Sequence, residues 1–219
     1  MKTPQICTVI STPDLKAIRQ AHELTDLFEL RIDLIYDSWE SIAQSISKPW
    51  IATCRSKKDN GEWKGTNEKR IETLLKAVEL GAAIVDIELE TTELNEIVHQ
   101  IKPKAKCLIS YHDWSGTPSL SYLHVILKKQ KLAKADICKI VTTANNAGDN
   151  LAVLQLVRES GKTPVTSFAM GTHGQLSRLF CPLFGGCFTY ASLTEDVLTA
   201  SGQLSLNQMR HIYSVMKPC

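Results

Sequence analysis

The sequence has no C-x-x-C pair, although it holds 7 cysteines. A zinc ribbon or thioredoxin-type site is thereby excluded as its organising motif. Its 6 histidines form no H-x-x-x-H pair and have no carboxylate partner at ligand spacing, so no metal site is expected. The Walker motif and G-x-G-x-x-G are missing too, and with them the usual signs of a nucleotide cofactor. No apolar run approaches the roughly 18 residues of a membrane span. The opening Met-Lys-Thr-Pro-Gln-Ile-Cys lacks the long apolar core of a secretion signal, so none is expected. Neither sign of charge dominates: 25 Lys and Arg against 23 Asp and Glu leave +2. That balance argues against nucleic acid as the main partner. It still allows a small anion, which needs only one or two well-placed cations.

What is present reads as a globular protein. The 219 residues are 43% hydrophobic and 22% charged, with no composition break, so residues 1–219 are taken as one domain. A chain this long buries about 70% of its unfolded surface. The cysteines, at 7, 54, 107, 138, 181, 187 and 219, are scattered, several inside apolar runs where Cys acts as a small hydrophobe. They are read as reduced thiols of a reducing compartment, which predicts a cytoplasmic protein.

Short β-type runs alternate with helical patterns. Strands are expected at 6–10, 27–34, 50–55, 83–89, 107–112, 137–142, 165–170 and 188–191. Several are apolar nearly throughout, as in parallel strands buried on both faces. Helices are expected at 13–24, capped by Ser11-Thr12, and at 68–80, with apolar residues at 71, 74, 75 and 78. Others fall at 92–101, 120–130, 147–160 (apolar face Leu151, Leu154, Val157), 176–184 and 206–216. This alternation predicts an α/β fold of the (β/α)8 TIM-barrel class near its minimum size. The rival, a doubly wound open sheet, usually carries a glycine-rich first turn. Here that turn reads Ser11-Thr12-Pro13-Asp14.

In a barrel the site forms at the C-terminal strand ends. Glu29, Arg31 and Asp33, spaced by two, fall on one side of the second expected strand. They either pair in the interior, where unpaired charge is expensive, or face solvent on an edge. Arg55 ends the third strand, Asp86 and Glu88 share the fourth, and Tyr111-His112-Asp113 close the fifth. Lys139 interrupts the apolar sixth. A buried amine there is suited to attack a carbonyl, and a snorkelling lysine is the alternative. After the seventh strand, Gly171 and Gly174 offer a backbone approach to an anion, and Arg178 suits a carboxylate. Ser201-Gly202-Gln203 follows the eighth.

Taken in order, Glu29-Leu-Arg31-Ile-Asp33, Arg55-Ser56, Asp86-Ile-Glu88, Ser110-Tyr-His112-Asp113, Lys139, Met170-Gly-x-x-Gly-x-x-Ser177-Arg178 and Gly202-Gln203 resemble type I 3-dehydroquinate dehydratase over nearly the whole chain. The resemblance implies a barrel that dehydrates 3-dehydroquinate to 3-dehydroshikimate, on the way to chorismate and the aromatic amino acids. It implies a Schiff-base lyase without cofactor or metal, usually a homodimer. It makes Lys139 the imine-forming residue and His112 the general acid/base. Glu29, Arg31 and Arg55 become ligands of the ring hydroxyls, and Arg178, helped by Gln203, the ligand of the carboxylate. Asp86 and Glu88 become supporting residues.

The chain departs from the family pattern in places. The family's glutamate partner of the histidine is Asp59 here, one methylene shorter, with Glu62 as the competing carboxylate. The eighth loop reads Thr199-Ala200-Ser201-Gly202-Gln203 where the family often has Ser-Ala-Pro-Gly-Gln, so Thr199 stands at the hydroxyl position. Phe168 and Met170 replace a methionine pair. The N-terminal hairpin of longer members is expected to be absent. A class I aldolase or transaldolase on the same fold, or an inactive barrel serving as a binding module, are the other readings. The first usually needs a phosphate cradle, which is not evident. The second sits poorly with an intact lysine, histidine and arginine set.

Overall fold

Along the first strand, side chains alternate between two apolar clusters: Cys7 and Val9 join one, Ile6 and Ile10 the other. Two-sided burial marks a strand covered on both faces. The computed structural model, which describes residues 3–216, repeats this pattern around a nearly closed barrel. The strands are β1 (Ile6–Ile10), β2 (Leu27–Arg31), β3 (Trp50–Thr53), β4 (Ile84–Glu88), β5 (Lys106–His112), β6 (Ile137–Thr143), β7 (Val165–Met170) and β8 (Thr189–Ser192). They pair in the order β7-β6-β5-β4-β3-β2-β1-β8, parallel throughout. A bond from Cys187 N to the Val165 carbonyl, 2.8 Å, ties the foot of β8 to that of β7.

Helices α1 (Leu15–Ala21), α2 (Ile32–Ile35), α3 (Trp39–Ser45), α4 (Asn67–Glu79), α5 (Leu94–Ile101), α6 (Leu120–Leu132), α7 (Asp149–Glu159) and α8 (Gln175–Phe180) connect the strands, and α9 (Leu206–Val215) follows β8. Outward strand residues such as Phe28, Leu30, Val85, Ile87, Cys138 and Ile140 pack beneath them. Each such side chain is worth about 1.5–3 kcal/mol when fully buried.

Inward residues change character along each strand. Near the N-terminal ends, Cys7, Leu27, Ile51, Ile84, Leu108, Ile137 and Phe188 form a buried apolar floor. One pleat on, roughly 6.6 Å higher at two residues per inward step, stand Glu29, Thr53, Asp86, Ser110 and Lys139, all buried. The polar layer therefore rests on a dry one and opens at the C-terminal mouth.

Several expectations need correction. The second strand stops at Arg31, and 32–35 form a helical turn. Asp33 thus leaves the strand but folds back on Arg31, accepting from Nε at 2.9 Å and Nη2 at 2.7 Å. β2 lies between β1 and β3, so these charges are not on an edge. Helix α3 went unread, although Trp39, Ile42 and Ala43 bury one face of it. The cap of α1 is Asp14, accepting from Lys16 N and Ala17 N, rather than Ser11-Thr12. Leu151 of α7 is 70% exposed, and Asn150 and Val153 take the buried face instead. The expected helix 176–184 breaks before Pro182, which lacks the amide hydrogen to continue it. Six of the cysteines are free, five buried and Cys187 half-buried, while Cys219 lies outside the described residues.

Candidate active site

β6 places Lys139 inward between Ser110 of β5 and Thr166 of β7. The wall is apolar only toward the helices. On the lumen side Nζ lies 2.9 Å from Asp86 Oδ2 and 3.4 Å from Glu29 Oε1. The lysine is thus a buried ion-pair member, not an amine isolated among hydrocarbons and not a snorkelling one. Glu29 Oε1 also accepts from Thr53 Oγ1 at 3.0 Å.

Arg55 organises the next layer. Its Nη2 donates to Asp86 Oδ2 at 2.7 Å and its Nη1 to Ser110 Oγ at 2.8 Å, with Glu88 Oε1 at 3.3 Å and Asp59 Oδ2 at 3.4 Å. Burial opposes the Arg55 charge, but Asp86 and Glu88 outweigh it and raise its pKa further. Burial likewise would raise the Asp86 carboxyl; Arg55, Lys139 and the Ser110 hydroxyl hold it well below the usual carboxylate range. Glu88 is gripped from behind by Arg70 Nη1 at 2.7 Å. Asp86 and Glu88 support this network without lining the cavity above it.

His112, at the end of β5, has a buried side chain. Its Nδ1 lies 2.9 Å from Asp59 Oδ2, and Trp114 stacks on the ring, centroids 5.4 Å apart. Burial lowers the His112 pKa, the Arg55 charge lowers it further, and Asp59 partly restores it. Of the two carboxylates in the β3–α4 loop, Asp59 is the one on the histidine. Glu62 is exposed at the rim, its backbone N bound to Asp33 Oδ2 at 3.1 Å. Gly61 sits where a Cβ would lie 2.1 Å from the Arg55 carbonyl oxygen. Its smallness presses the loop onto Arg55; a left-handed turn is not its role.

Across the cavity stands Arg178 on α8. Ser177 sets this helix, with Oγ accepting from Ala169 N at 2.9 Å and donating to the Gly174 carbonyl at 2.8 Å. A Cβ on Gly174 would lie 2.4 Å from the Ala169 carbonyl oxygen, so this glycine serves close packing, not an approach to an anion. Arg178 is 2% exposed, and its Nε and Nη2 have no hydrogen-bond partner among the described residues. Burial alone lowers its pKa, to about 10.

Lys139, His112, Asp59, Glu29, Arg31, Arg55, Arg178, Met170, Thr199 and Gln203 all line one cavity of about 460 Å³ at the barrel mouth. Thr199 N and Oγ1 both donate to Gln203 Oε1, at 2.9 and 3.0 Å, which leaves the amide nitrogen as the free donor. Sequence reading missed Tyr190, Trp114 and Arg70. The last was legible: Arg70, Leu74 and Ala77 share the buried face of α4, and an arginine there demands an ion-pair partner. Chemically, a nucleophilic amine, an imidazole oriented by a carboxylate and an orphaned guanidinium face one space. That set fits covalent and acid/base chemistry on an anionic carbonyl compound.

The family described as type I 3-dehydroquinase matches residues 6–218. A 3-dehydroquinate dehydratase of Dehalococcoides mccartyi is 42% identical over 97% of this chain and 96% of its own length. One from Methanocaldococcus jannaschii is 36% identical over 92% of this chain and 93% of its own. Among solved structures, 3-dehydroquinate dehydratase from Geobacillus kaustophilus superposes with a TM-score of 0.84 at 26% identity, covering 97% of this chain and 91% of that one.

Proposed function

Because the chain belongs to the type I 3-dehydroquinase family, and is thus a hydro-lyase that dehydrates 3-dehydroquinate in the shikimate pathway, we propose that its reaction runs through an imine on Lys139. The observation that carries this reading is Arg178. A buried cation without a partner is costly, and the substrate's carboxylate supplies the partner bidentately. Its ketone then falls to the amine on the opposite wall.

The Lys139 amine adds to the ketone carbon, and the carbonyl π pair moves to oxygen, which takes a proton from His112. His112 then takes a proton from the newly bonded nitrogen, which frees its lone pair, and passes that proton to the hydroxyl; water leaves as the lone pair closes the cationic C=N bond, and His112 is left neutral. His112 then removes the proton on the neighbouring carbon. Its Nδ1 is held by Asp59, so Nε2 is the atom that acts. The freed C–H pair moves toward nitrogen and gives a neutral enamine, avoiding a carbanion. The enamine expels the β-hydroxyl, which departs as water with the His112 proton. Addition of water to the imine carbon releases 3-dehydroshikimate and restores the amine.

Glu29, Arg31 and Arg55 hold the ring hydroxyls in this reading, with Gln203 beside the carboxylate and Thr199 orienting Gln203. Met170 supplies an apolar wall. We further propose a homodimer, on the family resemblance, acting in the cytoplasm, on the free and mostly buried thiols. No described helix is long and apolar enough to cross a membrane. The deciding experiment adds 3-dehydroquinate and follows the absorbance of the conjugated enone, then reduces the mixture with borohydride. Turnover with an adduct on the Lys139 peptide supports the reading; an adduct on another lysine overturns it.

A further inference from the structure

Tyr190 points inward from β8 beside Cys7, is 4% exposed, and lines the same cavity as Lys139. The Lys139 Nζ lies 4.4 Å from the centroid of its ring, inside the roughly 6 Å over which an aromatic face attracts a cation. The hydroxyl does not explain this placement, because Oη is buried without a partner among the described residues. The ring is itself fixed by edge-to-face contacts with Phe168 at 5.9 Å and Phe188 at 5.5 Å. Phe168 carries a second cation of the cavity, the Arg178 guanidinium carbon, 4.4 Å from its centroid. Two cations thus rest on two aromatic faces in contact with each other.

The two kinds of support around Nζ differ in what they require. Asp86 and Glu29 bind an ammonium through its hydrogens. An ammonium has three N–H bonds and a protonated imine has one, so imine formation strips hydrogen bonds from that side. A π face needs no hydrogen and attracts the positive charge in either form. We propose that Tyr190 is a positioning residue for the imine, its ring holding the cationic Lys139 nitrogen when the hydrogen-bonded carboxylates no longer can. This rests on Lys139 as the imine-forming residue. When the α-proton leaves and its electron pair reaches nitrogen, the charge and this attraction vanish together; both return when the hydroxyl departs. The ring therefore favours the cationic imine over the neutral enamine, and its effect falls on imine accumulation.

The test is the rate of borohydride trapping with 3-dehydroshikimate, followed by intact mass, beside kcat and KM. Tyr190→Phe keeps the face and Tyr190→Leu removes it. The leucine variant is expected to trap roughly tenfold more slowly than the phenylalanine one, with the share of enzyme held as imine falling in the same sense. Phe168→Leu removes a neighbouring ring of the same wall; it is expected to act mainly on KM, through Arg178, and to trap faster than Tyr190→Leu. Should the leucine variant fail to fold, phenylalanines with one to three ring fluorines at position 190 drain the π face at nearly constant shape, and trapping is expected to slow stepwise. A flat fluorine series, a phenylalanine variant as slow as the leucine one, or equal slowing by Phe168→Leu overturns the proposal. A normal Lys139 adduct with a flat series overturns it alone, whereas no Lys139 adduct in the unsubstituted enzyme removes the reading of Lys139 as well.

Discussion

The two walls of the cavity satisfy their charges in opposite ways. On the β2–β6 side Lys139, Arg55 and Arg31 each have carboxylate partners within the chain, and Arg70 braces the array from outside. On the β7–β8 side the lining is Phe168, Met170, Tyr190, Val197, Leu198 and Ala200 with the uncharged Thr199 and Gln203, and its single charged residue, Arg178, leaves two nitrogens unpartnered. A paired cation is set in position before anything binds, whereas an unpaired one gains its partner on binding. On the function proposed above, the difference gives chemistry to one wall and capture to the other. It also predicts opposite signs for stability when their cations are removed.

Lys139→Ala, on the paired wall, is expected to abolish turnover and the borohydride adduct; residual turnover at a few per cent with no adduct would place the chemistry elsewhere. His112→Ala should lower kcat by about 10²–10⁴-fold, the range for a lost general acid/base, and near-native turnover would make the histidine structural. Arg178→Met tests the other wall. KM is expected to rise roughly 10- to 100-fold, the worth of a charge-assisted bidentate contact, with kcat much less affected. Its Tm is expected to rise by a few degrees as a buried unpartnered charge disappears. A lower Tm, or a kcat effect with KM unchanged, breaks the contrast.

Asp59→Asn has a smaller effect with a definite pH signature. The carboxylate raises the His112 pKa against burial and Arg55. Its loss lowers that pKa further, so the acid limb of the rate profile should move to lower pH while kcat falls roughly tenfold with the weaker base. An acid limb moving upward contradicts the assignment. Glu62→Ala, at the rim, should stay within about twofold of the unsubstituted enzyme on the same assay, since nothing ties its carboxylate to the histidine. A loss there larger than that of Asp59→Asn would hand the role to Glu62.

The fold was legible where burial enforces a pattern. β1 and β7 fall where the apolar runs put them, and Leu123, Ile126 and Leu127 mark the inner face of α6 as their spacing requires. Legibility failed where one apolar run served two periods. Ile32 and Leu34 extend the expected strand 27–34 by composition, yet residues 32–35 form a helical turn beside the Arg31–Asp33 fork. The charged residues at the strand ends were legible as an ordered set, and the structure brings them to one cavity, because charge inside a barrel needs a partner from the chain or from a ligand. The pairings were not. That Asp86 serves both Arg55 and Lys139, that Trp114 lies on His112, or that Tyr190 lies under Lys139 depends on barrel closure, which brings together strands distant in sequence.

The apolar floor of Leu27, Ile51, Ile84, Leu108, Ile137 and Phe188 has a consequence for traffic. It closes the barrel from below, so on the imine route proposed above, water made when the imine forms and when the hydroxyl leaves must exit upward past a covalently held ligand. The later hydrolysis needs one water back at the same carbon. A blind-ended chamber keeps those molecules close at hand, and the water that finishes one step can be the water released by another.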